Sequence, residues 1–125
     1  MKLNVLNPEQ IVLQFNEYIT KHDVESLANL MTDNHRLTDR DGNIGEGKEN
    51  MIAGWNIFFK MFPDYKNTFT EIKSDGELVI IKGYAYWSEE NQHDDVIWTA
   101  KIENGLIAEW KIYYDTEENR KRFGI

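Results

Sequence analysis

Residues 65–114, YKNTFTEIKSDGELVIIKGYAYWSEENQHDDVIWTAKIENGLIAEWKIYY, decide the fold. Apolar and polar residues alternate here with a period of two, which is typical of β-strands. The pattern predicts four strands, at 65–73, 77–88, 95–102 and 106–114. Asp75-Gly76 and Asn104-Gly105 supply the positive φ angles that tight hairpins need. The stretch therefore predicts an antiparallel meander of four strands.

The sequence before this meander follows helical spacing instead. Asn7-Pro8-Glu9-Gln10 is typical of a helix start, with Asn7 as N-cap and Gln10 completing a capping box. A second short helix begins after Asp23, and a third spans 48–61. A short strand at 35–40 and a Gly-rich turn at 41–47 lie between them. Helices and strands that are segregated in this way predict an α+β fold in a single domain over residues 1–125.

Three helices can cover only one face of such a sheet. If the sheet is strongly curved, the two layers form a cone whose open end leaves a pocket. The strand at 77–88 is apolar on both faces, with Ile80 and Tyr84 on one and Ile81 and Trp87 on the other. We therefore expect the outer face to be covered as well, by a second copy in a homodimer through the sheet. The alternative is that the C-terminal segment folds over this face.

Composition excludes several classes of protein. The sequence has 22 acidic against 14 basic residues, a formal net charge of −8, and no Cys. The charge argues against nucleic-acid binding, which relies on Lys and Arg. The lack of Cys excludes disulfides, thiolate nucleophiles and Cys-based metal sites. No apolar run approaches the ~20 residues of a membrane span, and no signal peptide is recognisable. We expect a cytoplasmic protein with no metal or other cofactor and no nucleic-acid or membrane partner.

The order of these features resembles the SnoaL-like group of the NTF2-like superfamily, cone-shaped α+β folds that include ketosteroid isomerases and polyketide cyclases. The resemblance covers nearly the whole chain. Four stretches carry it: 15–31 (FNEYITKHDVESLANLM), 38–42 (TDRDG), 62–64 (FPD) and 106–124 (LIAEWKIYYDTEENRKRFG). It implies three N-terminal helices packed on a curved, mostly antiparallel sheet, a pocket inside the cone, and chemistry that moves a proton beside a carbonyl group.

The resemblance also implies two acid/base carboxylates. The isomerases place a general-base Asp on the first strand just before a Gly turn, where this sequence has Asp39. The cyclases place an acid/base Asp at the end of the last long strand, where it has Asp115. The isomerases' oxyanion donors are absent, because the Tyr position falls on Phe15 and the acidic strand position on or beside Trp98. Steroid-type isomerisation is therefore not expected. A relay assembled from Asp39 and Asp115 across the pocket is an arrangement that the resemblance leaves open.

Each candidate also has a structural interpretation. Asp39 is either a desolvated acid/base with a raised pKa or a turn residue that forms local hydrogen bonds. Asp115 is either an acid/base at the pocket mouth or the N-cap of a terminal helix that begins at Thr116. His35 shares a strand face with Asp39. It is therefore either the proton-accepting partner of that carboxylate or a partly exposed side chain at the strand entrance.

Aromatic side chains supply the walls for a ligand, although a core of this size needs many of them too. We predict that the following six contact a flat, apolar ligand: Phe15, Trp55, Phe59, Tyr84, Trp98 and Tyr113. Two functions follow. The first is an isomerase or cyclase in which Asp39 or Asp115 moves a proton on a carbonyl-bearing, hydrophobic substrate. The second is a non-catalytic module that binds a small apolar ligand or dimerises.

Overall fold

The computed structural model describes residues 6–87 and 93–125. Its elements are, in chain order, α1 (Pro8–Lys21), α2 (Val24–Asn29), β1 (Met31–Thr38), β2 (Ile44–Glu46), α3 (Lys48–Met61), β3 (Lys66–Asp75), β4 (Leu78–Tyr86), β5 (His93–Glu103), β6 (Leu106–Tyr114) and α4 (Glu117–Phe123). This order confirms the predicted α+β class, with three helices before a four-strand meander.

The strands form one six-stranded sheet in the order β2-β1-β6-β5-β4-β3. Strands β3 to β6 pair antiparallel in sequence order, and β1 joins β6 in parallel. The turn predicted at 41–47 contains the short edge strand β2, which pairs antiparallel with β1. Strand β1 begins at Met31 rather than at residue 35, because Met31 lies opposite Ile107 in the sheet and the N–H of Ile107 donates to the carbonyl of Leu30.

The helix starts follow the sequence pattern. The Asn7 side chain accepts the N–H of Gln10 at 2.9 Å, and the Gln10 side chain accepts the N–H of Asn7 at 2.9 Å, which completes the predicted capping box. Asp23 caps α2 by accepting the N–H of Ser26. Helix α3 follows Gly47 and has no side-chain cap.

The core lies between the three helices and the inner face of the sheet. Helix α1 contributes Ile11, Phe15 and Ile19, and β4 contributes Val79 and Ile81; all five are buried. Their alternation along β4 is the period-two pattern of a strand with one face against the core. The inner face of the sheet is thereby fixed, and with it the side chains that can reach a pocket.

Gly83 marks the place where β3 and β4 come closest. The pairing register shifts between Phe69 and Glu71, which is a β-bulge opposite this glycine. A Cβ at position 83 would collide with the backbone carbonyl oxygen of Thr68. Only glycine fits there, and the bulge bends the strand pair.

Part of the outer face of the sheet is covered within one chain. Phe123 of α4 packs on Tyr113 at 4.8 Å between ring centroids, and Lys73 on β3 donates to the carbonyl of Gly124. Ile80 and Ile97, which point to the same face, are buried without a second copy. The C-terminal segment therefore lies over this face, which was the alternative to the predicted dimer.

Candidate functional site

A cavity of about 440 Å³ opens at one end of the core. Its walls come from the end of β1 and the turn after it, the middle of α3 and the inner face of β4, β5 and β6. Five aliphatic side chains line part of the wall: Leu37, Met51, Ala85, Val96 and Ile112. The cavity thus lies between α3 and the inner face of the sheet.

Six aromatic side chains complete the wall: Trp55, Phe58, Tyr65, Trp87, Trp98 and Trp110. They include all four tryptophans of the sequence. Trp87 packs edge-on against Phe58 and Tyr65, with ring centroids 5.6 and 5.0 Å apart, so neighbouring rings hold one another in place. Burial raises the pKa of the Tyr65 phenol, which therefore keeps its proton and stays neutral.

Asp39 lies at the mouth, directly after β1. Its carboxylate accepts the N–H groups of Asp41 and Asn43, each at 2.9 Å, and the side-chain amide of Asn43 at 3.0 Å. Desolvation alone would raise the pKa of Asp39, but these hydrogen bonds outweigh it and lower the pKa below the ordinary value. The carboxylate thus stays ionised at neutral pH and holds the turn together.

A chain of polar contacts extends along the mouth from Trp87 to Asp41. The indole N–H of Trp87 donates to Asp94 Oδ2 at 3.0 Å, and Arg40 Nη2 donates to the same oxygen at 3.3 Å. The Arg40 guanidinium lies 4.8 Å from the centroid of the Tyr114 ring, and the Tyr114 O–H donates to Asp41 Oδ1 at 2.8 Å. These contacts connect β1, β6 and the two strands of the β4–β5 hairpin.

Two buried ring nitrogens near the cavity have no hydrogen-bond partner in the described part of the chain: Trp55 Nε1 and His35 Nε2. Trp55 itself lines the cavity, whereas His35 lies deeper, with its ring centroid 6.4 Å from that of Phe15. Burial lowers the pKa of His35. The ring is therefore neutral at physiological pH.

Comparison with known families agrees with this architecture. The model of the SnoaL-like domain family matches residues 12–110, which is most of the chain. The chain belongs to the SnoaL-like family. No curated protein is a significant match to the sequence.

Solved structures share the SnoaL-like fold at low sequence identity. An NTF2-like protein of unknown function from Cytophaga hutchinsonii is 16% identical with a TM-score of 0.76, over 100% of both chains. A putative SnoaL-like polyketide cyclase from Jannaschia sp. is 16% identical with a TM-score of 0.75, over 86% of this chain and 85% of that one. The epoxide hydrolase/cyclase-like enzyme SalBIII, of pyran ring formation in salinomycin, is 13% identical with a TM-score of 0.75, over 87% and 91%. At these identities the likeness establishes the fold alone.

Of the carboxylates that the SnoaL-like resemblance singled out, only Asp39 lines the cavity. Asp115 lies in a polar pocket on the outer face, together with Tyr84 and Arg120. Its side chain is only 7% exposed, and it accepts a hydrogen bond from Arg120 Nη1 at 2.5 Å. A relay of Asp39 and Asp115 across one pocket is therefore wrong. The N-cap of α4 is Thr116, whose side chain accepts the N–H of Asn119, so Asp115 is not the cap either.

Neither interpretation of His35 holds. The side chain is fully buried rather than partly exposed. Its Nδ1 bonds the carbonyl of Ile107 on β6 at 2.7 Å, so it is not paired with Asp39. Residues this far apart in sequence meet only through the parallel β1–β6 pair, which no local pattern indicates.

The six aromatic predictions divide by their position. Trp55 and Trp98 line the cavity. Phe15 and Phe59 are buried in the core, where Phe15 packs on Trp110 and Phe59 stacks on His22. For Tyr84 and Tyr113 the prediction is wrong. Tyr84 lies opposite Asp95, and Tyr113 opposite Ile97, on the outer face of the sheet, so neither side chain reaches the cavity.

The sequence interpretation missed Trp87, Arg40 and Asp41 as parts of the mouth. Trp87 follows Ala85 by two positions, so strand alternation placed it on the inner face, but no pattern indicated that the strand end borders a cavity. Within residues 6–87 and 93–125, no group of three His, Cys, Asp or Glu side chains could hold a metal ion. No helix in those residues is long and apolar enough to span a membrane.

Proposed function

We propose that this SnoaL-like protein binds an apolar, ring-containing small molecule in the aromatic cavity. The observation that carries the proposal is that all four tryptophans of the sequence, with Phe58 and Tyr65, line one cavity. A core needs aromatic residues, but it does not need to leave about 440 Å³ between them. Interiors are close-packed, and open apolar space of this size is typical of a ligand site.

The polar groups are placed as a binding site requires. They gather at the mouth, where Asp39, Arg40 and Asp41 border the cavity, while the deeper wall is apolar. A few convergent polar groups on an apolar pocket orient a ligand without the cost of burying charge. Some solved structures of this fold are named as putative polyketide cyclases. A hydrophobic molecule with a carbonyl group is therefore a reasonable first class of ligand to test.

A second candidate is an isomerase or cyclase that uses Asp39 as acid/base. It is favoured by the position of Asp39 on the cavity wall, at the end of β1. The pKa of Asp39 opposes it, because hydrogen bonds from Asn43 and Asp41 stabilise the ionised form and weaken it as a base. Ligand binding without proton transfer is therefore the function that the geometry supports better.

One experiment separates the two candidates. We would add 2-tetralone, a flat aromatic ketone with exchangeable α-protons, measure its binding by calorimetry, and follow α-proton exchange in D₂O by NMR. Binding with no acceleration of exchange supports the ligand-binding module. Acceleration that is lost in Asp39→Asn and kept in Asp75→Asn, an exposed control at the far end of β3, supports the enzyme. If 2-tetralone does not bind, this ketone class is excluded.

The homodimer predicted from the sequence rested on the apolar outer face of β4. With Ile80 buried in one chain, that support is reduced to the half-buried Leu78, Tyr84 and Tyr86. Sedimentation velocity of the whole chain at several concentrations tests it. A cytoplasmic location stays a prediction from the sequence.

A further inference from the structure

Negative charge predominates at the mouth of the cavity. The carboxylates of Asp39 and Asp41 border the opening, and Asp94 lies beside them on β5. Arg40 is the one cation that lines the cavity in the described part of the chain. Three carboxylates therefore face a single guanidinium at this end of the molecule.

The guanidinium of Arg40 is already engaged. Nη2 donates to Asp94 Oδ2 at 3.3 Å, and the planar group lies over the Tyr114 ring at 4.8 Å. An anionic ligand would have to share the Arg40 guanidinium with Asp94 and approach Asp39 and Asp41 at the same time. The negative charge of such a ligand would be repelled by the carboxylates of Asp39 and Asp41. The mouth is therefore built against a carboxylate or phosphate.

The aromatic lining also suits a ligand that carries a positive charge. Tryptophan has the strongest attraction of the aromatic side chains for a cation placed over its face. Four tryptophans line this cavity, and the buried phenol of Tyr65 adds another π-surface. The formal net charge of −8 on the whole chain also attracts cations from solution.

We propose that the ligand is an organic cation, a protonated amine or quaternary ammonium on an apolar, ring-sized body. The apolar body fills the deeper part of the cavity, and the positive charge lies at the mouth, where the Trp87 ring and the carboxylates of Asp39 and Asp41 border the opening. The hydrogen bonds that Asp39 accepts from its own turn keep it ionised, so the charge at the mouth persists at neutral pH. This inference rests on the proposed function, because it names the ligand class of the same cavity.

Three probes with one ring system test the sign of the charge: 2-naphthylmethylamine, 2-naphthylmethanol and 2-naphthoate. At pH 7 they are cationic, neutral and anionic. We expect calorimetry to show the amine binding about fivefold more tightly than the alcohol, the scale of an exposed cation–π and Coulomb contact. The naphthoate should be the weakest of the three. Raising the salt to 0.5 M should narrow the difference, because salt screens charges at the mouth.

The outcomes separate the two proposals. If the alcohol binds as tightly as the amine, the cation preference is overturned and the proposed function stands. If the naphthoate binds most tightly, Arg40 is an anion anchor and the preference is again overturned. If none of the three binds, the proposed function fails, and this inference fails with it.

A matched pair of variants locates the effect. Asp41→Asn removes one charge from the mouth and keeps an oxygen to accept the Tyr114 O–H. We expect it to weaken amine binding about threefold more than it weakens alcohol binding. Asp75→Asn makes the same change at an exposed position, at the end of β3 that is far from the cavity. It should leave the affinities for all three probes unchanged. Equal effects of the two variants would show a contribution of net charge alone and overturn the assignment to this mouth.

Discussion

The imidazole of His35 donates its Nδ1–H to the backbone carbonyl of Ile107 at 2.7 Å, between residues 72 positions apart. A carbonyl oxygen can only accept, so Nδ1 carries the proton and Nε2 presents a lone pair. That lone pair is buried and has no partner among the described residues. The contact joins β1 to β6. Protonation of the ring would place a positive charge in the core and leave the new Nε2–H without an acceptor among the described residues.

We therefore expect the protein to lose stability as the pH falls below about 6.5, the ordinary pKa of His. Burial lowers the pKa of folded His35, and the hydrogen bond to Ile107 and the charge of Glu109 oppose this only in part. The unfolded chain thus takes up a proton before the folded one does. The free energy of unfolding should fall by up to about 1.4 kcal/mol per pH unit until the folded ring also titrates. Chemical denaturation at pH 7.5, 6.5 and 5.5 measures the slope.

The control variants for this slope are His35→Leu and His93→Gln. His35→Leu removes the titrating group and should flatten the dependence over this range, although it lowers stability at pH 7.5 by leaving the Ile107 carbonyl unpaired. His93→Gln removes a different histidine and serves as the control for the loss of one histidine as such. A slope that survives in His35→Leu contradicts the assignment.

The second prediction compares the effect of alanine at Gly83 and at Gly54 on the free energy of unfolding, because the two glycines have different surroundings. Gly83→Ala should lower the free energy of unfolding by about 3 kcal/mol, since its Cβ would collide with the Thr68 carbonyl and force the backbone apart. Gly54→Ala, in α3, should raise it by about 0.5–1 kcal/mol, because alanine favours a helix and nothing lies within 4 Å of a Cβ there. Urea denaturation of the two variants beside the parent chain tests both signs. Similar losses in the two variants would contradict the geometry at Gly83.

The sequence could predict some features of the fold and the candidate site but not others. Strand alternation correctly separated Trp87 from Tyr84, because period-two patterns report opposite faces of a strand. Alternation does not indicate which face of the sheet the helices cover. The prediction that Tyr84 lines the pocket is therefore wrong, because its side chain lies on the outer face of the sheet. The turn interpretation of Asp39 was visible locally, since its partner Asn43 is four residues away. The burial of His35 was not, because it depends on pairing across 72 residues.

The outer face gives a third prediction. Phe123 packs on Tyr113, which lies opposite Ile97 in the sheet, and Gly124 accepts a hydrogen bond from Lys73, which lies opposite Ile80. A chain that ends after Asp115 should uncover the apolar part of this face and associate with itself. Sedimentation velocity should show a larger particle for the truncated chain than for the whole chain.

Phe123→Ala is the milder test of the same contact. It removes the ring that packs on Tyr113 and keeps α4 and its ion pair between Arg120 and Asp115. We expect weaker self-association than in the truncated chain. If the truncated chain and the whole chain sediment alike, α4 is not what keeps this face covered.

The last prediction concerns the opening of the cavity. Gly54 lies on the exposed side of α3 and borders the mouth, and a side chain added there would extend into open space. Gly54→Phe should therefore narrow the opening and weaken binding of 2-naphthylmethanol by about tenfold or more, a loss of about 1.4 kcal/mol or more. Gly54→Ala adds only a methyl group and should bind like the parent chain, which separates closure of the mouth from loss of the glycine itself. Both variants should unfold cooperatively in urea, so that a loss of binding cannot come from a loss of fold. Unchanged binding in Gly54→Phe would mean that the ligand enters or rests elsewhere.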